Sequence, residues 1–150
     1  MKKDRNRPEP LYPDQSLPRS NILRGRNNFR RLFEKSTVLN SNSIQFRFRI
    51  YDNPDEGCKI GFSAPKKIIS KATKRNRTKR LLREVYRTNQ SHLSDLFNSG
   101  SFGFHGLIMA RKSGLSYHEI AAEMETLMLQ ARKILEAYLC KNAGQSETTT

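Results

Sequence analysis

The feature that most constrains this chain is a strongly basic stretch with the periodicity of a helix. Residues 74–87 hold seven cations and one carboxylate. At 3.6 residues per turn, one stripe collects the side chains that a core can bury: Thr78, Leu81, Leu82, Val85 and Tyr86. The adjoining arc is almost wholly cationic, and like charges this close repel one another, so an external polyphosphate is the expected counterion. A solvated helix face is the alternative, but such faces usually mix the two signs of charge.

Charge and composition limit the kind of protein that this sequence can form. The 150 residues suit one domain with tails, and the formal net charge of +14 indicates an anionic partner. No apolar run approaches the roughly 18 residues that span a bilayer, and no apolar stretch follows the charged N-terminus, so we expect neither a membrane segment nor a secretory signal. Cys58 and Cys140 lack CxxC spacing, which indicates reduced thiols in a cytoplasmic protein rather than a disulfide or zinc site.

The chain divides into three parts by composition. Residues 1–20 hold four of the six prolines among mixed charges, and they predict a disordered extension. Residues 21–141 carry the periodic segments and predict an RNA-binding domain. Residues 142–150 predict a disordered tail.

A short helical pattern over residues 24–35 places aromatic side chains among cations. Asn27 is its predicted N-cap, and Phe29, Leu32 and Phe33 share one face. Aromatic residues four positions apart usually face a core, so core packing is the first interpretation. A platform on which unpaired bases stack is the second.

Three segments have the patterns of strands. Residues 43–51 alternate strictly and turn two arginines and a tyrosine to one side. Residues 58–64 alternate likewise after a turn, so we predict a hairpin in which the outward faces of the two strands adjoin. The continuous apolar run within residues 104–110 predicts a strand that is buried on both faces. Strands and helices together predict an α+β domain.

A long helix is predicted near the C-terminus and a short one before it. Ser116 and Glu119 form a capping box, after which an apolar stripe at helical spacing continues to about Leu139. Residues 92–97 predict a short helical turn.

Two further expectations concern the N-terminal cap of the basic helix and the ion pair within it. Ser70 or Thr73 is its predicted N-cap. Its single carboxylate, Glu84, is expected to pair with Arg80 or Arg87, which lie one turn away on either side.

No pattern in the sequence indicates a catalytic or metal site. The three histidines lie in different contexts, and no P-loop, nucleophile elbow or pair of carboxylates occurs. The acids cluster in the 52–56 turn and the last helix, whereas a protein-only nuclease needs a base or metal ligands beside its basic surface. We therefore expect no catalytic residue and no protein-bound metal.

The basic stretch also carries a specific resemblance. Residues 75–84 resemble the RNR signature, R-N-R-x-K-R-x-x-R-E, of the bacterial ribonuclease P protein component. Four weaker pieces of that family's pattern occur in the expected order, at residues 28–33, at 61–67, at 108–112 and from 116 onward. The first piece has Asn28 where the family commonly has aspartate. The resemblance spans roughly residues 23–139.

The resemblance implies both a fold and a function. The implied fold is a two-layer α/β sandwich similar to domain 2 of a ribosomal small-subunit protein, with a small sheet and the basic stretch as a crossover helix. The resemblance implies that the connection through this helix is left-handed. General packing rules alone favour a right-handed connection between parallel strands. The implied function is that of a 1:1 ribonucleoprotein, in which a catalytic RNA subunit removes the 5′ leader of precursor tRNA with Mg²⁺ held mainly by RNA.

Two sets of site residues follow. Residues expected to bind the RNA subunit lie on the basic helix, and these are Lys74, Arg75, Asn76, Arg77, Lys79, Arg80 and Arg83. Residues expected to line the path of the 5′ leader lie between the first helix and the sheet, and these are Phe29, Phe33, Arg47, Arg49, Lys59, Ser63, Lys66 and Lys67. The family often has apolar or aromatic residues where Arg47 and Arg49 stand, so we expect these two to contact phosphate rather than bases. For Arg77, which is turned furthest from Arg75, bracing of the neighbouring loop or Glu84 is the alternative to contact with phosphate.

Three other functions compete with this one. A ribosomal or other structural RNA-binding protein explains the charge equally well but not the RNR signature. A DNA-binding helix-turn-helix protein fits poorly with strands immediately before the basic helix. A protein-only endonuclease lacks the acids that it needs.

Overall fold

The computed structural model describes residue 17 and residues 19–148, with side chains as far as residue 142. Its helices and strands follow one another in the order α1 (Arg26–Glu34), β1 (Thr37–Asn40), β2 (Ile44–Tyr51), β3 (Cys58–Ser63), α2 (Ala72–Asn89), α3 (Ser91–Phe97), β4 (Gly103–Ala110) and α4 (Tyr117–Thr148). One small sheet with helices confirms the predicted α+β class. Most of the predicted N-terminal extension lies outside the described residues. Within the described part, no helix is long and apolar enough to cross a membrane.

The sheet is mixed, and its strand order is β1-β2-β4-β3. β2 pairs antiparallel with both β1 and β4, while β3 lies parallel to β4. β4 therefore separates the two strands that were predicted to form a hairpin, and that prediction is wrong. As the most apolar strand, β4 gains most from a central position with neighbours on both edges. The connection from β3 to β4 runs through α2 and α3, which is the predicted crossover; its hand stays a prediction.

The main core lies between one face of the sheet and helices α2, α3 and α4. The alternation in β2 buries Phe46 and Phe48 completely, and the Phe48 ring stacks on Phe104 of β4 at 5.2 Å between centroids. Each large apolar side chain buried in this way contributes about 1.5–3 kcal/mol. The packing leaves no room at Gly106, where a Cβ would lie 2.8 Å from the Phe46 ring and 2.9 Å from Ile60.

Helix α1 packs on the opposite face of the sheet and forms a second, smaller core. Leu23, Leu32 and Leu107 are buried there, with Phe29 and Met109 partly buried against them. β4 is consequently covered on both faces, and all but one of its residues are buried. The predicted double burial of this strand is confirmed.

The two C-terminal helices begin as predicted. Helix α3 occupies the expected short helical turn, and the backbone N–H of Glu119 donates to Ser116 Oγ at 3.4 Å before α4. Helix α4 continues to Thr148, beyond the predicted end near Leu139. The apolar stripe to Leu139 marks the part of the helix that packs on the core.

Helices α1 and α2 begin without the predicted side-chain caps. Helix α1 follows Gly25, whose φ of 95° suits glycine alone, and Lys71 precedes α2 without a side-chain hydrogen bond to the helix. The predicted caps Asn27, Ser70 and Thr73 are therefore wrong. Asn27 and Thr73 lie inside the helices, each one residue after the first helical residue.

Candidate nucleic-acid interface

The basic stretch forms helix α2 with the two faces that its periodicity predicts. Thr78, Leu82, Val85 and Tyr86 are buried, and Leu81 packs partly against the same core. This stripe fixes the rotation of the helix about its axis, so the cationic arc must face solvent. The predicted RNA-subunit residues are exposed with the exception of Arg75, and the exposed ones are Lys74, Asn76, Arg77, Lys79, Arg80 and Arg83.

Arg75 is the cation of α2 that braces the chain before the helix. Its Nη1 donates to the backbone carbonyl of Ser70 at 2.6 Å and to that of Ile69 at 3.1 Å. Arg75, rather than Arg77, therefore braces this loop. Within the described part of the chain, the Arg77 side chain has no hydrogen-bond or ion-pair partner. Arg77 is exposed and donates no hydrogen bond to the loop.

The single carboxylate of α2 pairs inside the helix, with the second of its two predicted partners. Arg87 Nη2 lies 2.6 Å from Glu84 Oε1, and Arg87 Nε donates to the other oxygen at 3.0 Å. The hydrogen bond from Arg87 lowers the pKa of Glu84. Glu84 is therefore neutralised at the far end of the helix, and the cations of its first three turns keep their charge for an external partner.

One shoulder of α2 faces helix α1 across the edge of β3. A groove there is bordered by Lys79, Arg80 and Arg83 on one side and by Phe29, Gly61 and Phe62 on the other. Gly61 permits the close approach, since a Cβ at this position would lie 3.3 Å from the Phe29 ring. The groove joins the basic helix to the space between α1 and the sheet, so both predicted sets of site residues border one continuous surface.

The outer face of the sheet carries the predicted leader residues in register across three strands. One row is Val38, Arg47, Leu107 and Gly61, the next is Arg49, His105 and Lys59, and the third is Gln45, Met109 and Ser63. The arginines of β2 and the polar residues of β3 thus share one face, as predicted, although β4 stands between them. Lys66 and Lys67 are exposed in the turn that follows β3.

The two aromatic residues of α1 have different environments. Phe29 packs partly buried against the smaller core and also borders the groove beside α2, so its contact with the leader stays a prediction. Phe33 is 49% exposed, and the guanidinium of Arg47 lies 4.8 Å from the centre of its ring. The Phe33 ring is therefore exposed with a cation over one face, which leaves the other face for stacking of an unpaired base.

Arg47 and Arg49 are partly buried and bind the protein itself. Arg47 donates to Ser36 Oγ at 3.0 Å, and Arg49 donates to the backbone carbonyl of Arg31 at 2.9 Å while lying 4.7 Å from the Tyr51 ring. These contacts hold α1 against the sheet and orient both guanidinium groups. Their contact with phosphate stays a prediction.

A partly buried polar cluster that the sequence did not indicate lies at one end of this face. Arg31 donates to both oxygens of Glu56 at 2.8 Å, and this hydrogen bonding lowers the pKa of Glu56. The Nε2 of His105 lies 3.0 Å from the Glu56 carbonyl, and burial lowers the pKa of the imidazole. The cluster ties α1 to the β2–β3 turn. Residues 52–56 read only as a turn, and no local pattern pairs positions 25 residues apart.

The arrangement can bind RNA, and its donor set does not fit a metal site. Among the described residues, no three His, Cys, Asp or Glu side chains come together. The surface formed by α1, α2 and the outer face of the sheet has exposed guanidinium and ammonium groups, the exposed ring of Phe33 and a groove between a helix and the sheet. These groups can neutralise phosphates and stack on bases.

Comparison with protein families and curated sequences gives one consistent result. The family model described as Ribonuclease P matches residues 17–132. The ribonuclease P protein component of Nitrosomonas eutropha is 39% identical over 75 residues, which cover 50% of this chain and 62% of that protein. The corresponding protein of Citrifermentans bemidjiense is 31% identical over 120 residues, covering 79% of this chain and 94% of that protein. Apart from this last relative, the chain matches the curated relatives over less than two thirds of their length.

Solved structures show the same fold. The RNase P protein of Staphylococcus aureus superposes with a TM-score of 0.57 at 19% identity, covering 74% of this chain and 94% of that one. The RNase P protein of Thermotoga maritima gives a TM-score of 0.57 at 23% identity, covering 73% and 96%. Identities this low support the fold and nothing finer.

Proposed function

Because this chain belongs to the Ribonuclease P protein family, we propose that it is the protein subunit of ribonuclease P. In this role it binds a catalytic RNA subunit through helix α2 and assists Mg²⁺-dependent removal of the 5′ leader from precursor tRNA. The observation that carries the proposal is the exposed row of RNR cations beside a groove that leads to the outer face of the sheet. We further propose that one protein binds one RNA subunit in the cytoplasm.

In this proposal the chain acts by neutralising phosphate charge and by positioning the RNA strands. Two polyanions, the RNA subunit and the precursor, must approach each other, and cations between them replace condensed counterions and reduce the repulsion. The Mg²⁺ used in the reaction is assigned to the RNA, since the described side chains offer no cluster of three metal-binding groups. The protein's own residues bind and orient the RNA strands.

The first experiment reconstitutes the reaction from purified parts. The protein without RNA should not cleave precursor tRNA at any Mg²⁺ concentration, whereas with the cognate RNA subunit it should raise turnover at modest Mg²⁺. Arg80→Ala should weaken RNA-subunit binding, and Lys133→Ala, which removes an exposed cation from α4, is the matched control. Specific cleavage by rigorously RNA-free protein would refute the proposal, and co-purification of ribosomal RNA alone would favour a structural RNA-binding protein.

The path of the leader is a second, finer proposal about the outer face of the sheet. Phe33 is its sharpest test because its ring is half exposed and packs in neither core. Loss of one stacked base costs about 1–3 kcal/mol on alanine substitution. In the assembled holoenzyme, Phe33→Ala should weaken binding of a precursor with a leader of several nucleotides and spare one with almost no leader.

The control for the leader experiment is Leu129→Ala. Leu129 is 42% exposed on α4, so its truncation removes a comparable apolar surface on a different element. Equal losses on the long-leader and short-leader precursors would place Phe33 at the RNA-subunit interface instead.

A further inference from the structure

A second groove flanks helix α2, between its first half and the loop that joins β4 to α4. The groove encloses about 560 Å³. Its apolar floor consists of Ile69, Leu81 and Leu115, the ring of Tyr117 forms one wall, and Lys74 and Arg77 stand at the rim. No carboxylate lines it among the described residues. The groove is therefore apolar inside and cationic outside.

The helical period explains why α2 borders two grooves. Lys74, Arg77 and Leu81 lie three and four residues apart, so they share one shoulder of the helix. Lys79 and Arg83 occupy the opposite shoulder, beside Phe29. The groove on that shoulder adjoins the outer face of the sheet, where the leader path is proposed, which leaves Lys74 and Arg77 next to a groove with no assigned occupant.

Tyr117 gives this groove an aromatic face that is held in place. It is the first residue of α4, it is 38% exposed, and its hydroxyl lies 3.1 Å from Thr88 Oγ1 at the end of α2. Among the large hydrophobic side chains that the described chain leaves exposed, Tyr117 and Phe33 are the two aromatic ones. Lys74 and Arg77 line the same groove as Tyr117, so this groove combines a π-face with positive charge.

We propose that this groove receives an unpaired nucleobase of the RNA subunit. The base stacks on Tyr117 above the apolar floor, and its flanking phosphates lie on Lys74 and Arg77. The cationic rim selects an anionic backbone, and a floor of three apolar side chains suits one flat base better than the long stripe of a partner helix. The source is the RNA subunit rather than the leader, because the groove lies on the side of α2 away from α1. The inference rests on the proposed function and adds a specific contact to it.

Substitutions at Tyr117 test the stacking contact, with affinity for a transcript of the cognate RNA subunit as the measurement. Tyr117→Ala should weaken binding by about fivefold to 150-fold, the range found for loss of one base–aromatic stack. Tyr117→Leu, which keeps apolar bulk without a π-face, should also lose affinity. Tyr117→Phe, which keeps the ring and loses only the contact with Thr88, should bind within about twofold of the wild type. Leu129→Ala is the matched control for removal of exposed apolar surface and should leave binding unchanged.

Photocrosslinking locates the contact independently of any loss of stability. An RNA subunit carrying 4-thiouridine should form adducts with the peptide that contains Leu115 and Tyr117, and Lys74→Ala should reduce the magnitude of the salt slope of binding by about 0.7–0.9. Unchanged affinity of Tyr117→Ala in a holoenzyme that still processes precursor tRNA would overturn this inference and leave the proposed function standing. Adducts confined to other peptides would overturn it as well. Failure of the wild-type protein to bind the RNA subunit would instead refute the proposed function.

Discussion

Replacement of Arg75 tests whether this cation of the RNR signature stabilises the fold, whereas the exposed cations bind RNA. Sequence reasoning places Arg75 at the RNA-subunit interface, but its guanidinium donates to the carbonyls of Ile69 and Ser70. Arg75→Ala removes both hydrogen bonds and frees the loop that leads into α2. Arg80→Ala removes an exposed cation of the same helix that has no partner among the described residues. The two variants change the same net charge and differ in what the side chain holds.

The expected magnitude follows from those two hydrogen bonds. A hydrogen bond from a charged donor contributes about 1.5–3 kcal/mol when it is buried. The bond to Ile69 is only part-buried and the bond to Ser70 is exposed, so solvent competes for both carbonyls. We therefore expect Arg75→Ala to lower the free energy of unfolding by about 1–2 kcal/mol, which lowers Tm by about 2–8 °C in a domain of this size. Arg80→Ala should stay within about 0.5 kcal/mol of the wild type.

Urea denaturation of the protein alone, paired with RNA-subunit binding, checks this expectation. Arg75→Lys should recover part of the stability, because an ammonium is one point donor where a guanidinium reaches two carbonyls. Binding by Arg75→Ala should fall less than binding by Arg80→Ala when both are measured well below their melting temperatures. The reasoning is refuted if Arg75→Ala is as stable as the wild type and loses as much RNA affinity as Arg80→Ala.

Three further expectations concern packing and pH. Leu82→Ala should cost about 2–5 kcal/mol in urea denaturation, because Leu82 is wholly buried and its truncation leaves a cavity. Gly106→Ala should cost about 1–3 kcal/mol by overpacking against the Phe46 ring, and calorimetry should show a lower Tm. The stability that Glu56 gains from Arg31 is fully present above its ordinary pKa of 4.5 and is lost as the pH falls through the lowered value. The difference in unfolding free energy between the wild type and Glu56→Gln should accordingly be constant near pH 7 and shrink in acid; a constant difference down to pH 3 would contradict the ion-pair argument.

Local patterns in the sequence determined the elements and their faces. The 3.6-residue period of the basic stretch fixed which side chains of α2 are buried and which cations face solvent, with Thr78, Leu82, Val85 and Tyr86 inside as predicted. The two-residue alternation of β2 fixed which of its side chains enter the main core, and the apolar run of β4 indicated a strand covered on both faces. Such patterns can be read from sequence because each depends on the geometry of the backbone over only a few residues.

Only the tertiary structure decided which elements are neighbours and which polar groups find partners. The hairpin prediction was wrong because strand order is set by competition among distant segments, and β4 gains more from a central place than β2 and β3 gain from pairing directly. The pair of Arg31 and Glu56 and the bracing of the loop by Arg75 were likewise invisible in the sequence. A charged side chain has the same local signature whether it meets phosphate, a carboxylate or a carbonyl. Its partner is determined by the groups that the completed fold brings within about 3 Å, the range of a hydrogen bond.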